Sequence, residues 1–393
     1  LVIDKVTKRK QNRHPQPPFI TSTLQQEASR KLNWTAKKTM MIAQQLYEGV
    51  EVDGEAVGLI TYMRTDSVRV SKDAQSDALS YVKGKYGQKY LPESPRVYKM
   101  KKNSQDAHEA IRPSLVDYTP DAVQGKLSAD QLKLYQLIWK RFVASQMVSA
   151  ELENTQILVK ADKYYLKATG HVVVFEGFMA LYMESKDDED AEEAEGTLPK
   201  VEEGAALTAK SIEKDQKFTQ PPNRYTEATL VKILEEKGIG RPSTYAPTIS
   251  TILDRGYVER EKKTLFPTEL GMVIDDQLGK FFESILNYNF TAEMENDLDE
   301  ISEGKHNWFD IVAKFYKPLM ADLEVAKEKM EKINRDKPTD EVCDKCDHPM
   351  VIKDGRYGEF MACSNFPECK NTKAITKPLE VACPKCKSEL QER

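Results

Sequence analysis

The sequence lacks three features that would each point to a particular class of protein. No apolar run approaches the ~20 residues needed to cross a bilayer, and the N-terminus has no charged-then-apolar secretion signal. A glycine-rich loop ending in Gly-Lys-Ser/Thr, the signature of many ATP-binding sites, is also absent. We therefore expect a cytoplasmic protein that neither enters a membrane nor uses ATP.

Cysteine is scarce, and its placement argues against a disulfide framework. Only six cysteines occur in 393 residues, and four of them, Cys343, Cys346, Cys363 and Cys369, fall in one short stretch. Four thiolates complete the tetrahedral shell of a structural Zn²⁺, and Cys-x-x-Cys is the spacing of one knuckle of a zinc ribbon. A segment of about 35 residues has too small a core to fold unaided. The pattern predicts one zinc ion bound by these four cysteines.

The last residues repeat the opening of this ribbon. Cys383 and Cys386 stand in the same Cys-x-Lys-Cys pattern as Cys343 and Cys346, but the sequence given ends at Arg393. We expect this half-ribbon to hold no zinc by itself, since two thiolates leave the tetrahedral shell open.

Aromatic and basic residues interleave within the complete ribbon. These residues are Tyr357, Phe360, Phe366, Lys353, Arg356 and Lys370. Such interleaving suits stacking on single-stranded bases with neutralisation of the backbone. The same aromatics could instead pack the ribbon's small core, and the sequence leaves both interpretations open.

Excess positive charge is also missing. The chain has 58 basic and 63 acidic residues, for a net charge of −5. Seven acidic residues, however, are concentrated between Asp187 and Glu195, within a stretch at 186–204 that we interpret as a solvated loop. The remainder is close to neutral and locally basic, so the net charge does not exclude a nucleic-acid partner.

The hydrophobic period predicts a multidomain α+β protein. Apolar residues recur at helical spacing in residues 20–150 and 220–335. The range 220–335 also contains a helix-turn-helix pattern followed by a predicted hairpin wing. Alternation within residues 151–219 predicts antiparallel strands at 155–160, 164–168 and 171–175. Candidate helix N-caps are Thr23, Thr35 and Ser71.

Tyr62 ends a short apolar run and is followed two residues later by Arg64. In an extended segment, side chains at i and i+2 share a face. A phenol beside a guanidinium suits covalent chemistry on a phosphodiester, because the cation stabilises charge that develops as the oxygen attacks phosphorus. A strand tyrosine can equally be a packing residue.

Two further groups combine hydrogen-bond donors with positive charge. His108 and Arg112 are four residues apart, and one helical turn would place them on a common face. Arg241, Ser243 and Thr244 stand at the start of a predicted helix, which Pro242 and Ser243 open. Free N–H groups and the positive helix end favour an anion there. The second group predicts a phosphate site, although Ser243 or Thr244 could simply cap the helix.

Four phrases of the sequence, in their order, resemble the bacterial topoisomerase I branch of the type IA DNA topoisomerases. They are Gly-Leu-Ile-Thr-Tyr-Met-Arg-Thr-Asp-Ser at 58–67, Ala-His-Glu-Ala-Ile-Arg-Pro-Ser at 107–114, Gly-Ile-Gly-Arg-Pro-Ser-Thr-Tyr-Ala at 238–246, and the four-cysteine ribbon. The resemblance covers nearly the whole chain.

The resemblance implies a role for each group. Tyr62 would be the catalytic tyrosine and Arg64 its catalytic cation; His108 and Arg112 would contact DNA at the scissile bond. The implied reaction is transient cleavage of one strand through a 5′-phosphotyrosine, strand passage and religation, which relaxes negatively supercoiled DNA without ATP. Single-stranded DNA would be the bound partner, and the protein would be a monomer.

The resemblance also implies a type IA torus made from an antiparallel arch and winged-helix-like domains. The implied domains are residues 1–19 as a strand or linker of the arch, 20–150 as the tyrosine domain, 151–219 as the arch, 220–335 as the helical DNA-binding domain, 340–375 as the ribbon and 378–393 as an incomplete second ribbon.

One part of the family pattern is missing before Tyr62, namely the carboxylates and lysine of the Toprim domain that bind Mg²⁺. The sequence therefore looks like a fragment that binds DNA but is inactive alone. The rival hypothesis is a non-catalytic winged-helix and zinc-ribbon protein that binds single-stranded DNA.

Overall fold

The structure is a computed structural model that describes residues 1–52, 54–99, 108–185, 198–330, 336–355, 358–375, 377–382 and 389–392. Several sequence predictions fall outside these ranges: most of the acidic stretch at 186–204, Arg356, Tyr357, and the half-ribbon cysteines Cys383 and Cys386. In the part of the chain that is described, no helix is long and apolar enough to span a membrane.

The chain divides into two compact units, Leu1–Leu323 and Glu324–Arg393. The first contains the predicted tyrosine domain, the strands around it and most of the helical domain. The second contains the ribbon. Each unit has its own core, and the largest core lies in residues 19–182 of the first unit.

The tyrosine domain is built from helices around one short hairpin. Its elements are α1 (Thr21–Leu32), α2 (Ala36–Glu48), β2 (Val50–Val52), β3 (Glu55–Val57), α3 (Lys72–Tyr86) and α4 (Ala129–Ser145). Their apolar faces converge on side chains that are fully buried, among them Leu24, Leu46, Tyr135 and Phe142.

Hydroxyl side chains begin most of these helices. Thr35 accepts a hydrogen bond from the N–H of Lys38, and Ser71 from that of Ala74, as their types predict. The prediction for Thr23 is wrong, since α1 already begins at Thr21. The Thr23 hydroxyl instead accepts from the N–H of Ile20, within the first turn.

Three long strands form an antiparallel sheet in the order β1–β4–β5, where β1 is Val2–Arg13, β4 is Ala150–Ala161 and β5 is Tyr164–Phe175. The alternating pattern predicted two separate strands at 164–168 and 171–175. The structure instead has one strand, because Gly170 pairs with Thr155 within the continuous ladder. Ile3, Ile157 and Val159 form the small core on one face of the sheet.

The helical domain begins as a helix, a turn, a second helix and a hairpin. These elements are α5 (Glu227–Glu236), α6 (Tyr245–Asp254), β6 (Val258–Glu261) and β7 (Thr264–Pro267). Four more helices follow: α7 (Glu269–Phe281), α8 (Glu283–Leu286), α9 (Tyr288–Ser302) and α10 (Trp308–Lys329). Helix α5 packs against α1, and α6 packs against α2.

The ribbon is a four-stranded antiparallel sheet in the order β11–β10–β9–β8. Its strands are β8 (Lys337–Val342), β9 (Pro349–Gly355), β10 (Gly358–Cys363) and β11 (Thr372–Ala374). A further pair, β12 (Lys377–Ala382) and β13 (Glu389–Glu392), follows it. The buried centre of the ribbon consists of Met350, Cys343 and Cys363.

Candidate active site and zinc site

Tyr62 lies in a segment that is extended but is not a regular strand. Only Ile60 forms a β-bridge, to Pro113, and the chain bends after it. The predicted strand is therefore wrong at Tyr62, because residues 61–67 pair with no strand within the described part of the chain. Burial nevertheless alternates: Met63 and Thr65 are buried, whereas Tyr62 is half-buried and Arg64 exposed. Tyr62 and Arg64 thus share the outer side of the segment, as their spacing predicts.

The side chain of Thr21 takes the place of a partner strand. Its hydroxyl donates towards the carbonyl oxygens of Met63, at 2.8 Å, and Thr65, at 3.0 Å, and it accepts from the N–H of Thr65 at 2.8 Å. Because Thr21 is the first residue of α1, this contact ties the tyrosine segment to a buried helix. The backbone on either side of Arg64 is held in place.

Two rings flank Tyr62. The Tyr47 ring meets it edge-on with centroids 5.3 Å apart, and the His108 ring lies 5.6 Å away on a tilted plane. Gly58 allows Tyr47 to approach, because a Cβ atom at Gly58 would lie 2.6 Å from the carbonyl oxygen of Tyr47. Within the described residues, the Tyr62 hydroxyl has no hydrogen-bond partner.

His108 reaches Tyr62 from an extended segment and not from a helix, so the predicted helical turn through Arg112 is wrong. Backbone hydrogen bonds hold this segment against the rest of the domain. The N–H of Ile111 donates to the carbonyl of Phe19, and the N–H of Thr61 donates to the carbonyl of Arg112. The Thr61 hydroxyl accepts from the N–H of Arg112 in return, at 3.0 Å. Backbone pairing with residues on both sides replaces the i to i+4 bonds of a helix.

Arg112 is already paired with an acid. Its Nε and Nη2 atoms donate to Glu109 at 2.8 and 2.7 Å, and Nη1 donates to the carbonyl of Pro113 at 2.9 Å. The guanidinium therefore fixes the shape of the 109–113 loop. Arg64 is exposed on the outer side of the Tyr62 segment, and the His108 ring lies 5.6 Å from the Tyr62 ring.

Arg241 is likewise engaged within the protein. It donates to Asp299 through Nη2 at 2.8 Å and to the carbonyl of Gly240 through Nη1 at 2.9 Å, and Glu295 lies 3.9 Å away. Burial lowers the pKa of Arg241, but the hydrogen bond and charge of Asp299 outweigh it, so the pKa is raised. This guanidinium closes a loop onto α9.

The predicted start of the following helix is also wrong. Residues 242–244 form a turn and α6 begins at Tyr245, so Pro242 and Ser243 lie outside the helix. Thr244 occupies the N-cap position but accepts from the N–H of Arg241 at 2.8 Å, which is not a capping bond. Ser243 and Thr244 are exposed next to the helix end, and the Thr244 hydroxyl is engaged with the backbone of Arg241.

The four ribbon cysteines come together at one point. Their sulfur atoms all lie within 4.8 Å of one another. Hydrogen bonds orient them: the amide of Asn371 donates to Cys343 Sγ at 3.3 Å, and the N–H of Cys343 donates to the carbonyl of His348 at 2.8 Å. The N–H of Lys345 is the main cause that lowers the pKa of Cys343, to about 6. Four convergent sulfurs fit a structural Zn²⁺.

Phe360 and Phe366, the ribbon aromatics that lie within the described residues, do not belong to its buried centre. Phe366 is 63% exposed, and Phe360 is only partly buried against Gly355. The centre is filled by methionine and cysteine instead. Of the two interpretations left open by the sequence, packing of a ribbon core does not apply to Phe366.

A magnesium site does not emerge from the described residues. Across these ranges, the cysteine cluster is the only group of three or more His, Cys, Asp or Glu residues whose ligand atoms converge. Carboxylate oxygens are the ligands that Mg²⁺ requires. The described residues therefore fit the zinc ion that the sequence predicts and do not fit the Mg²⁺ that the resemblance implies.

Comparison with known proteins identifies the class to which this fold and these sites belong. A family described as DNA topoisomerase matches residues 1–313, so the chain belongs to the DNA topoisomerase family. A second family, described as topoisomerase DNA binding C4 zinc finger, matches residues 340–378 and again 380–393. The range 380–393 contains the half-ribbon cysteines Cys383 and Cys386.

Among solved structures, full-length topoisomerase I from Thermotoga maritima is similar to this chain. The two are 38% identical with a TM-score of 0.74, and the match covers 95% of this chain. It covers 59% of the Thermotoga chain, so this sequence spans that share of the relative's length. The resemblance to bacterial type IA topoisomerase I and the α+β fold class with a C-terminal ribbon are thereby confirmed.

Sequence reasoning missed three residues of the site: Tyr47, Glu109 and Thr21. Two signals were available. Gly58 marks a close backbone approach, here to Tyr47, and Glu109 is the acid nearest in sequence to Arg112. Nothing in the sequence pointed to Thr21, because its contact with Thr65 joins residues 44 positions apart.

Proposed function

We propose that this protein is a type IA DNA topoisomerase that cleaves and rejoins one DNA strand through Tyr62. One observation supports the proposal most directly: a half-buried tyrosine without a described hydroxyl partner lies 5.6 Å from the His108 ring and two residues from the exposed Arg64. A tyrosine kept only for packing would not need a cation on its outer side.

The proposed reaction exchanges one phosphoester for another. The Tyr62 oxygen attacks the phosphorus of a single-stranded phosphodiester and the phenol gives up its proton; the bond to the 3′ oxygen breaks and that oxygen takes up a proton. The 5′-phosphate stays on the tyrosine. After the second strand passes, the 3′-hydroxyl attacks the phosphotyrosine and restores the original bond. No ATP is required, because the phosphotyrosine conserves the bond energy.

Arg64 and His108 would act at the DNA. A phenol ionises only near pH 10, so a neighbouring positive charge is needed to stabilise the attacking oxygen and the crowded phosphorus. Arg64 is exposed and can supply this charge. His108 would contact the scissile region, and neither residue is assigned as the general base.

The other predicted contacts take more limited roles. Arg112 is occupied by Glu109 and Arg241 by Asp299, so we propose that both arginines position their loops and meet DNA only through rearrangement. Ser243 and Thr244 are exposed and remain candidates for a phosphate contact. Phe366 is a candidate for base stacking at the ribbon.

We infer that these 393 residues by themselves bind single-stranded DNA, as a monomer, without sustained relaxation of negatively supercoiled DNA. The resemblance implies that Mg²⁺ assists the leaving oxygen when bound, and the described residues offer it no carboxylate cluster. A metal-binding domain would therefore have to be supplied for turnover.

The test is capture of the covalent adduct on labelled single-stranded DNA, with such a domain supplied. Tyr62→Phe removes only the oxygen and should reduce the adduct to background while DNA affinity stays within about threefold, since the ring and its packing remain. Tyr47→Phe is the matched control, because its ring lies 5.3 Å away. It should leave the adduct intact. An adduct that survives in Tyr62→Phe and disappears in Tyr47→Phe would assign the nucleophile to Tyr47.

A further inference from the structure

A second basic site lies on the tyrosine domain, in a recess between α1, α4 and the segment at 181–183. The recess has a volume of about 240 Å³ and contains Lys31, Lys133, Lys140 and Gln136. It shares no lining residue with the Tyr62 site. Three cationic groups and an amide therefore surround a space large enough for a phosphate group.

The remaining lining is apolar. Leu32, Leu137, Leu181, Tyr182 and Met183 complete the walls. Tyr182 carries the ammonium group of Lys31 over its ring, 3.9 Å from the centroid. A site that combines lysines with apolar and aromatic surface suits a nucleotide unit. The lysines match its charged phosphate, and the apolar and aromatic walls match its sugar or base.

Carboxylates among the described residues neutralise only part of the positive charge of the recess. Lys31 pairs with Glu27 at 3.2 Å, but Glu27 also accepts from the Tyr182 hydroxyl at 3.0 Å and from the N–H of Ser185 at 3.0 Å. In the described ranges, no carboxylate forms an ion pair with Lys133 or Lys140. By contrast, the nearby Lys38 pairs with Asp130 at 2.7 Å.

The lysines also act on one another. Burial lowers the pKa of Lys31, and Arg141 and Lys140 lower it further while Glu27 opposes them. Lys133 and Lys140 are seven residues apart on α4, which is two helical turns, so they project from one face. Lys133 and Lys140 taken by themselves could simply belong to a solvent-exposed face of α4 that binds nothing. Such a face would not account for a partly buried third lysine that arrives from another helix.

We propose that this recess binds a phosphate group of single-stranded DNA and holds a stretch of the strand away from the cleavage site. The proposal takes its DNA partner from the proposed function, but it does not depend on covalent chemistry at Tyr62. Lys133 and Lys140 contact the phosphate, and Lys31 with Tyr182 forms the wall behind it.

The salt dependence of single-strand binding tests the site in the full 393-residue chain. Each phosphate contact contributes about 0.7 to the slope of log K against log salt, so losing the one contact in Lys133→Ala with Lys140→Ala should lower the slope by about 0.7. The matched control is Lys83→Ala with Lys85→Ala, which removes the same charge from exposed positions of α3 in the same domain. The control should change the slope by less than about 0.3, since exposed charges that touch no phosphate release no counterion. Equal changes in both variants would overturn the proposal, because they would reflect overall charge.

A lysine footprint separates this site from the Tyr62 chemistry and distinguishes the source of the phosphate. Single-stranded oligonucleotide should protect Lys133 and Lys140 from acetylation, and Lys83 and Lys85 should stay reactive. Thymidine 3′,5′-bisphosphate is the second probe. Protection by this nucleotide without protection by the strand would overturn the DNA proposal in favour of a free-nucleotide site. Loss of the adduct in Tyr62→Phe with an unchanged footprint would support both proposals, whereas an absent footprint beside a normal adduct would refute this one alone.

Discussion

The backbone N–H of Ala36 donates a 2.8 Å hydrogen bond to Oε2 of Glu227, across 191 residues of sequence. Ala36 is the first residue of α2 and Glu227 the first residue of α5. The other carboxylate oxygen accepts from Nη1 of Arg260 at 3.0 Å, and Glu227 is only 5% exposed. A carboxylate at the positive end of α2 thus ties the tyrosine domain to the helical domain.

Removal of this carboxylate should loosen the contact between the two domains. Glu227→Ala leaves the Ala36 N–H and the Arg260 guanidinium without their partner, and hydrogen bonds to a charged group contribute ~1.5–3 kcal/mol. We expect the free energy of unfolding in urea to fall by about 2 kcal/mol. Hydrogen exchange at peptides that contain Ala36 should accelerate, which reports the contact directly.

Glu269→Ala is the control for this prediction. Glu269 is also the first residue of a helix, α7, but it is exposed. Its replacement should cost less than about 0.5 kcal/mol, as surface substitutions usually do. Similar losses for the two variants would mean that Glu227 stabilises only its own helix.

The Arg241–Asp299 pair should behave as a structural contact. The two side chains are 25% and 30% exposed, so solvent screens them, and a double-mutant cycle of Arg241→Ala and Asp299→Ala should give a coupling of about 1 kcal/mol. The salt slope of single-strand binding should not change in Arg241→Ala. A fall of about 0.7 with no coupling to Asp299 would instead restore Arg241 as a phosphate contact.

Zinc should fold the ribbon and leave the first unit unaffected. We expect one Zn²⁺ per chain, bound by Cys343, Cys346, Cys363 and Cys369, because only these four sulfurs converge among the described residues. Cys363→Ser should abolish tight zinc binding. Chelation should unfold the ribbon alone, visible as loss of amide dispersion there, while the main melting transition stays in place.

The half-ribbon provides the matched control for zinc binding. Cys383→Ser with Cys386→Ser should leave both the zinc content and the ribbon spectrum of the parent unchanged. Metal analysis that gives two tightly held zinc ions in the parent, falling to one in this variant, would show that the half-site binds metal after all.

Local signals in the sequence were sufficient for much of the secondary structure. Thr35 and Ser71 cap helices because a side-chain oxygen two or three residues before a free N–H needs no distant partner. The hairpin of β6 and β7 and the presence of antiparallel strands at β4 and β5 were also predictable, because residue pattern and turn residues are local signals. The errors at Tyr62 and His108 arose where hydrogen bonds run to Thr21 and Phe19, which are far away in sequence.

The sequence by itself determined the family, the four zinc ligands and the side of the chain that Tyr62 shares with Arg64, because these depend on residue identity and on spacings of a few positions. Only the tertiary structure decided that the His108 ring lies beside Tyr62, that Arg112 and Arg241 are occupied by Glu109 and Asp299, and that Glu227 joins two domains. Which charges pair in space depends on how helices from distant parts of the chain pack, and no local pattern of residues contains that information.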